Sequence, residues 1–335
     1  MARNKSGPHR GIDRRSFLRG SLAVGGGLAG LDLSQAHLVS AQTPKRGGNL
    51  VAAAEIDPIG LDPHNSSNFS ACQAYDHFYE SLTSYDEKTN IVPCLATSWE
   101  VTNGGKTYTF KLRPNVKFHN GQTMTADDVK YSVERVLDPK TASPWVSWLK
   151  PIKEVEVIDP LTVQMNLDAP YPLLGSFAGN RASAIIPKGI AEQENLKIKG
   201  IGTGPFKLAE YVPQDRIVYA RHTDYWDKSL PYLDGMTFKV LTEENARIAA
   251  LKAGQIQYAF LSGQGAAQLE GAPGITVAKS PTAWVVVHYI NRRNKPLSDA
   301  RVRRALRMAV DTERGDPEGR VRRRRALGPR ADGLR

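Results

Sequence analysis

The 335-residue chain is poor in several things that would announce a function. It has two cysteines, Cys72 and Cys94, set 22 apart and so outside any C-x-x-C pattern. Seven histidines (9, 37, 64, 77, 119, 222 and 288) include no pair three to five residues apart. Zinc, haem and iron–sulfur spacings are therefore missing, and neither a metal nor a cofactor is expected. There is no G-x-S-x-G elbow, no G-x-x-x-x-G-K-[ST] loop and no H-E-x-x-H, so no enzyme is indicated. No run of about 18 apolar residues lacks a charge, which excludes a polytopic helical membrane protein. A cystine between Cys72 and Cys94 stays open, because geometry decides it.

Positive charge is plentiful, but it sits at the ends. The chain carries a formal +11, of which residues 1–46 hold a net +6 and residues 312–335 a net +4. The body, 47–311, is left near neutral, so the basic footprint of a nucleic-acid binder is missing from it and no nucleic-acid partner is expected.

The N-terminal charge has a reading of its own. Asp13-Arg14-Arg15-Ser16-Phe17-Leu18-Arg19 precedes a glycine-rich apolar run from Gly20 to Leu33. This resembles a twin-arginine export signal, with Arg14, Arg15, Phe17 and Leu18 at its defining positions and Asp13 and Arg19 as mild departures. The run is too short to span a bilayer stably, and Val39-Ser40-Ala41 supplies small residues for cleavage. Residues 1–41 are thus expected to be a signal peptide, cleaved near Ala41 and delivering a soluble protein to the periplasm through the twin-arginine translocase. At the other end, residues 312–335 contain eight Arg, no Lys, four Gly and two Pro, with no periodicity. They are expected to be disordered and to read as an out-of-frame stretch of GC-rich DNA.

Between these ends the pattern is α/β. Asn49–Ala54 reads as a buried strand, and Asp57-Pro58 and Asp62-Pro63 force a non-helical connector. Tyr75, Phe78, Tyr79 and Leu82 give residues Phe69 to Leu82 helical spacing. Alternation on either side of Asn103-Gly104-Gly105 predicts one hairpin, and alternation around Asp159-Pro160 a second. Thr125 caps a helix with acids in its first turn and an apolar stripe at Val129, Val133, Val136 and Leu137; Asp127 and Asp128 read as dipole-compensating acids. Strands come next at Gly204–Tyr211, Arg216–Arg221, Met236–Leu241, Tyr258–Leu261 and Trp284–Ile290. Helices are expected at Glu243–Ala253, closed by Gly254, and at Asp299–Val310, capped by Ser298. Gly200-Ile-Gly202-Thr-Gly204-Pro205 reads as a tight turn entering a strand rather than a phosphate loop, since Pro205 and Phe206 stand where a helix would begin.

Taken in order, five stretches resemble the peptide/nickel class of ABC-transporter solute-binding proteins, extracellular solute-binding family 5. They are GGNLVAAAEIDPIGLDPH (47–64), the span from Tyr79 to Pro139, GTGPFKLAEYVPQDRIVYARHTDYWDKSLPYLDGMTFKV (202–240), RIAALKAGQIQYAF (247–260) and NKPLSDARVRRALRMAVD (294–311). The resemblance implies a periplasmic-binding-protein-like (class II) α/β lobe with a β-rich inserted subdomain, the second lobe missing after Asp311. The implied organisation is 42–84 and 201–298 for the first lobe, 85–200 for the insert, and 299–311 for the start of the hinge. A monomer is implied, with a small peptide or similar solute as ligand and an inner-membrane ABC permease as partner. Nickel, haem, opine or sugar-type ligands, or a receptor-coupled sensory role, are the alternatives the same scaffold admits. The ligand-binding residues it implies are Ser67, Asn68, Phe69, Trp148, Asn180, Thr282 and Trp284.

Overall fold

The computed structural model divides the chain into two units, Met1–Pro44 and Lys45–Arg335. The structure describes residues 44–67, 73–178, 183–279 and 289–309, all but Pro44 in the second unit. The export-signal residues Arg14, Arg15, Phe17 and Leu18, the cleavage site and the Arg-rich tail lie outside the described residues.

Ten strands are described: β1 (Asn49–Ala54), β2 (Thr83–Tyr85), β3 (Ile91–Pro93), β4 (Ala96–Thr102), β5 (Thr107–Leu112), β6 (Ile152–Asp159), β7 (Thr162–Leu167), β8 (Phe206–Val212), β9 (Arg216–Arg221) and β10 (Gly235–Val240). Three longer helices accompany them: α1 (Ala126–Leu137), α2 (Glu244–Lys252) and α3 (Ala300–Ala309).

One four-stranded sheet has the order β4-β5-β7-β6 and is wholly antiparallel. Both of its outer pairs are hairpins, as the alternation of the sequence requires. The β4–β5 turn is Asn103-Gly104-Gly105, where all three residues take positive φ, a conformation glycine adopts without penalty. Phe110, Val163 and Met165 are fully buried and meet Val129, Val133 and Val136 of α1 in one core. Thr125 and Asp128 close a capping box at the N-terminus of α1.

The other four-stranded sheet, β1-β10-β9-β8, joins distant parts of the chain. β1 runs parallel to β10 with Asn49 opposite Gly235, and β10, β9 and β8 are antiparallel. Tyr75, Phe78, Tyr79 and Tyr219 fill its core, while α2 covers Ala53 through Ala250. Gly254 closes α2 in the left-handed region, φ +69°.

Three elements differ from the sequence reading. Of the helix expected over Phe69–Leu82, only 73–75 is helical among the described residues; 76–78 is turn and 79–82 irregular, leading into β2. The backbone there is claimed by other segments. Gly204 donates to the Phe78 carbonyl at 3.1 Å, Leu95 to Ser81 at 3.1 Å, and Ala96 to Leu82 at 2.9 Å. The apolar residues that suggested the helix are still buried, so burial was legible and its periodicity misleading.

Second, Tyr258–Leu261 makes only an isolated bridge, Ala52 to Tyr258. The Phe260 carbonyl accepts instead from the Arg247 side chain, 3.2 Å away, which ends the pairing. Third, Asp299 rather than Ser298 caps α3: its carboxylate accepts from the Arg301 backbone N–H at 2.8 Å. The strand expected at Trp284–Ile290 lies outside the described residues up to 288, and 289–290 are not strand.

The Gly200–Gly204 segment is a packing device. A Cβ on Gly202 would sit 2.0 Å from the Phe78 carbonyl oxygen, and one on Gly204 would sit 2.8 Å from that of His77. Only glycine lets this strand entry lie flat against residues 77–79.

Candidate functional site

Helix α1 presents two stripes to the protein interior. One is apolar, Val129, Val133 and Val136, and packs on the β4–β7 sheet. The other is polar, Asp128, Ser132 and Arg135, at positions i, i+4 and i+7. Each member of the polar stripe holds a backbone segment or loop. Asp128 accepts from the Lys188 N–H at 2.8 Å, and Ser132 Oγ accepts from that of Ile186 at 3.0 Å. Arg135 clamps Asp62 through both guanidinium nitrogens, at 3.0 and 2.6 Å. The same guanidinium donates to His64 Nδ1 at 2.9 Å. Because Nδ1 accepts there, the ring proton sits on Nε2, which donates to the Ala184 carbonyl at 2.8 Å.

Electrostatics agree with this arrangement. Burial, reinforced by the neighbouring Arg135 charge, holds the His64 pKa down at about 4, so the ring is neutral. For Asp62, burial works to raise the pKa, but the Arg135 bonds and charge outweigh it and hold the carboxyl below its ordinary value. Asp128 is raised, since burial outweighs the N–H groups it accepts from.

The loop that follows Asp62 is tied down on its other side by Trp145. Its indole N–H is shared between the Pro63 and Ser66 carbonyls, at 3.2 and 3.1 Å, and Tyr75 Oη donates to Ser66 at 3.1 Å. Trp145 meets Trp148 edge-on, with ring centroids 6.3 Å apart. Trp148 is 46% exposed. Its carbonyl accepts from Ser176 Oγ at 3.3 Å, and the Ser176 carbonyl accepts from Ser183 Oγ at 3.0 Å. Trp145 thus joins the Pro63–Ser66 segment, which leads into exposed Ser67, to half-exposed Trp148, while the Ser176 and Ser183 bonds behind Trp148 are buried.

Among the expected ligand contacts, Trp148 and Ser67 are exposed, Trp148 against Trp145 and Ser67 next to the Ser66 carbonyl that Trp145 binds. Asn68, Phe69, Asn180, Thr282 and Trp284 lie outside the described residues. The sequence reading missed Trp145, Arg135, Asp62 and His64 as supports. Trp145 stands three residues before Trp148, a spacing that puts both on one helical face. The polar stripe of α1 carried a signal too, since polar residues at i, i+4 and i+7 beside an apolar stripe broaden the buried face.

Behind this loop a polar groove of about 560 Å³ opens between Asn65, Tyr131, Glu134, Arg135 and Glu192. Elsewhere Glu80 is buried, and burial raises its pKa against the pull of four donors. Tyr225 Oη, Trp226 Nε1 and Thr203 Oγ1 donate to it at 2.7, 3.1 and 2.8 Å, with the Cys94 thiol at 3.8 Å. This ties 80, 94, 203 and 225–226 together as a structural knot. Cys94 is a free, buried thiol, its pKa driven up by burial. Cys72 lies outside the described residues. Among the described residues no group of three or more His, Cys, Asp or Glu side chains could hold a metal ion, and no helix is long and apolar enough to cross a membrane. What is exposed here is the Trp148 ring and Ser67; the Ser176 and Ser183 hydroxyls are buried and bonded within the protein.

Known proteins share this fold. The glutathione-binding protein GsiB of Escherichia coli O6:K15:H31 is 30% identical over 288 residues, 85% of this chain and 56% of that protein. The oligopeptide-binding protein AppA from Bacillus subtilis, solved in complex with a nonapeptide, superposes with a TM-score of 0.71 at 29% identity. That match covers 81% of this chain and 55% of AppA. NikZ from Campylobacter jejuni, solved in complex with Ni(L-His), also superposes with a TM-score of 0.71, at 27% identity over 79% of this chain and 54% of NikZ. The chain thus spans about half the length of the relatives it matches. The α/β fold is that of the periplasmic binding proteins. Residues 90–314 match the family model of the bacterial extracellular solute-binding proteins, family 5 Middle, and the chain belongs to that family.

Proposed function

We propose that this chain is the solute-capturing component of a peptide-type ABC importer, and that it carries one wall of the ligand cleft. The observation that carries the reading is half-exposed Trp148, held edge-on against Trp145, whose indole also ties down the Pro63–Ser66 segment that leads into exposed Ser67. Relatives named for glutathione and structures holding a nonapeptide support a peptide-like ligand. Nickel–histidine and opine complexes among the neighbours keep those ligand classes as the second reading. Asn68, Phe69, Asn180, Thr282 and Trp284 complete the proposed contact set. The protein catalyses nothing; it delivers solute to a membrane permease whose ATPase supplies the energy. A closing second wall would add affinity, because the ligand is desolvated on both sides only in the closed state.

Export through the twin-arginine route, with cleavage near Ala41 and action in the periplasm as a monomer, is part of the same proposal. Replacing Arg14 and Arg15 with Lys should leave the precursor in the cytoplasm; undiminished export of that variant contradicts the route.

The contact set is tested through the five tryptophan indole N–H resonances. Adding reduced glutathione or trialanine should move the Trp148 signal and leave those of Trp99 and Trp226 in place. Movement of Trp226 alone would put the site elsewhere.

A further inference from the structure

Two histidines from distant parts of the chain close on one backbone oxygen. His119 lies beyond the end of β5, and His222 directly follows β9. His119 Nε2 donates to the Gly204 carbonyl at 3.0 Å, and His222 Nδ1 donates to the same oxygen at 3.1 Å. The rings meet edge-on, with centroids 4.8 Å apart. Through Nδ1, His119 also accepts from the Gly202 N–H at 3.3 Å, and its own backbone N–H donates to the Gly202 carbonyl at 2.9 Å. Gly202 and Gly204 have no side chains with which to hold themselves, and a Cβ on either would strike residues 77–79. The imidazoles therefore grip from outside the segment that leads into β8, and His119 ties it to the chain of the β4-β5-β7-β6 sheet.

We propose that His119 and His222 form an acid-released clasp between the two four-stranded sheets, closed while both rings are neutral and drawn open as they take up protons. A carbonyl oxygen can only accept, so the shared bond fixes both tautomers, N–H on Nε2 of His119 and on Nδ1 of His222. A second proton on His119 would have to sit on Nδ1, facing the Gly202 N–H, donor against donor. The surroundings resist it as well. Burial above all holds the His119 pKa at about 3, against its bond to Gly204, and the His222 and Lys207 charges add to the effect. His222 is lowered first by burial; Lys207 on β8 adds to this, while the Gly204 bond and Asp224 oppose it. The other titratable groups around the segment are engaged elsewhere. His77 turns its ring to Tyr219 and Phe238, Lys117 bonds Thr123, Arg221 bonds Asp234, and Arg113 lies over the Trp226 ring. Glu80 receives Thr203, Tyr225 and Cys94. Burial raises its pKa, so Glu80 favours the closed state in acid and opposes the release. The histidines reach their ordinary affinity for protons only once the clasp opens, which is why acid pulls it open.

The test is amide hydrogen–deuterium exchange of the full chain at pH 7.5 and 5.0, each rate divided by its intrinsic value at that pH. Opening should increase about thirtyfold at pH 5.0 for each ring that titrates, in 200–206 and 118–122, while 107–112 and 162–167 hold. His119→Gln and His222→Asn keep an amide N–H for the Gly204 carbonyl but do not titrate. Each should remove one ring's share, and the double variant should leave 200–206 no more open at pH 5.0 than at pH 7.5. Glu80 stays in place throughout, so its share cancels in the comparison. An acid response that persists undiminished in the double variant overturns the proposal. So does one spread equally over 107–112 and 162–167, which is unfolding of the whole chain. Ring nitrogen chemical shifts of the unaltered protein at pH 7.5 test the clasp without any variant. They should show the proton on Nε2 of His119 and on Nδ1 of His222; the opposite tautomer on either ring removes the shared bond and overturns the proposal.

Discussion

The two four-stranded sheets are built from the same kinds of residue but by different rules. In β4-β5-β7-β6 each outer pair is a hairpin, closed across Asn103–Gly105 or Pro160–Leu161. In the other sheet β1 finds β10 across 186 positions of chain, Asn49 opposite Gly235. The hairpins of the first sheet close short loops at little entropic cost, while β1–β10 closes a loop of well over a hundred residues. The lesson is where stability has to come from. The distant sheet depends on a junction, residues 77–82, whose backbone serves 94–96, 204 and 206, with Glu80 at its centre holding 185.

That contrast can be broken most forcefully at the junction. Gly202→Val places carbon where the Phe78 carbonyl already sits, 2.0 Å away, so the strand entry has to move. A loss above about 4 kcal/mol is expected, the size reserved for such clashes. Exchange protection should vanish first from β1, β8, β9 and β10 and persist longer in β4–β7. A variant as stable as the parent would show that the junction is not tight.

Acid should sharpen the same contrast with a smaller effect. Burial lowers the pKa of His64 and of His77 to about 4, and that of His119 to about 3. All three bear on the junction or the loops beside it. His77 stacks on Phe238, and His119 donates to the Gly204 carbonyl at 3.0 Å. These rings stay neutral in the folded chain, while the unfolded chain binds protons below its ordinary value of about 6.5. Stability is therefore full above about pH 6.5 and falls toward pH 4, by up to about 1.4 kcal/mol per pH unit for each histidine. Glu80, raised by burial, works in the opposite direction and reduces the net loss. Urea midpoints at pH 7.5 and 5.0 should differ, the acid one lower; an equal or higher midpoint at pH 5.0 contradicts the burial of these rings.

What the sequence made legible obeys the same division. Hairpins, the Thr125 cap and the Gly254 stop were readable because their causes are local. The partner of β1 was not, since parallel pairing leaves no turn to find. Residues 69–82 misled because the spacing of buried side chains was helical while tertiary hydrogen bonds drew the backbone out. Ser67 and Trp148 came from family resemblance, and the structure adds the Trp145 contacts that hold Trp148 and the Pro63–Ser66 segment. Arg135, His64 and Trp145 stayed hidden because each bonds to groups far along the chain, which no spacing rule encodes.

That this chain presents one wall of a solute cleft is tested most directly by isothermal titration of the purified chain with di- to pentapeptides. The proposal predicts saturable binding that Trp148→Ala weakens about tenfold, since the ligand loses an aromatic face. No saturable binding, or binding indifferent to Trp148→Ala, would contradict it.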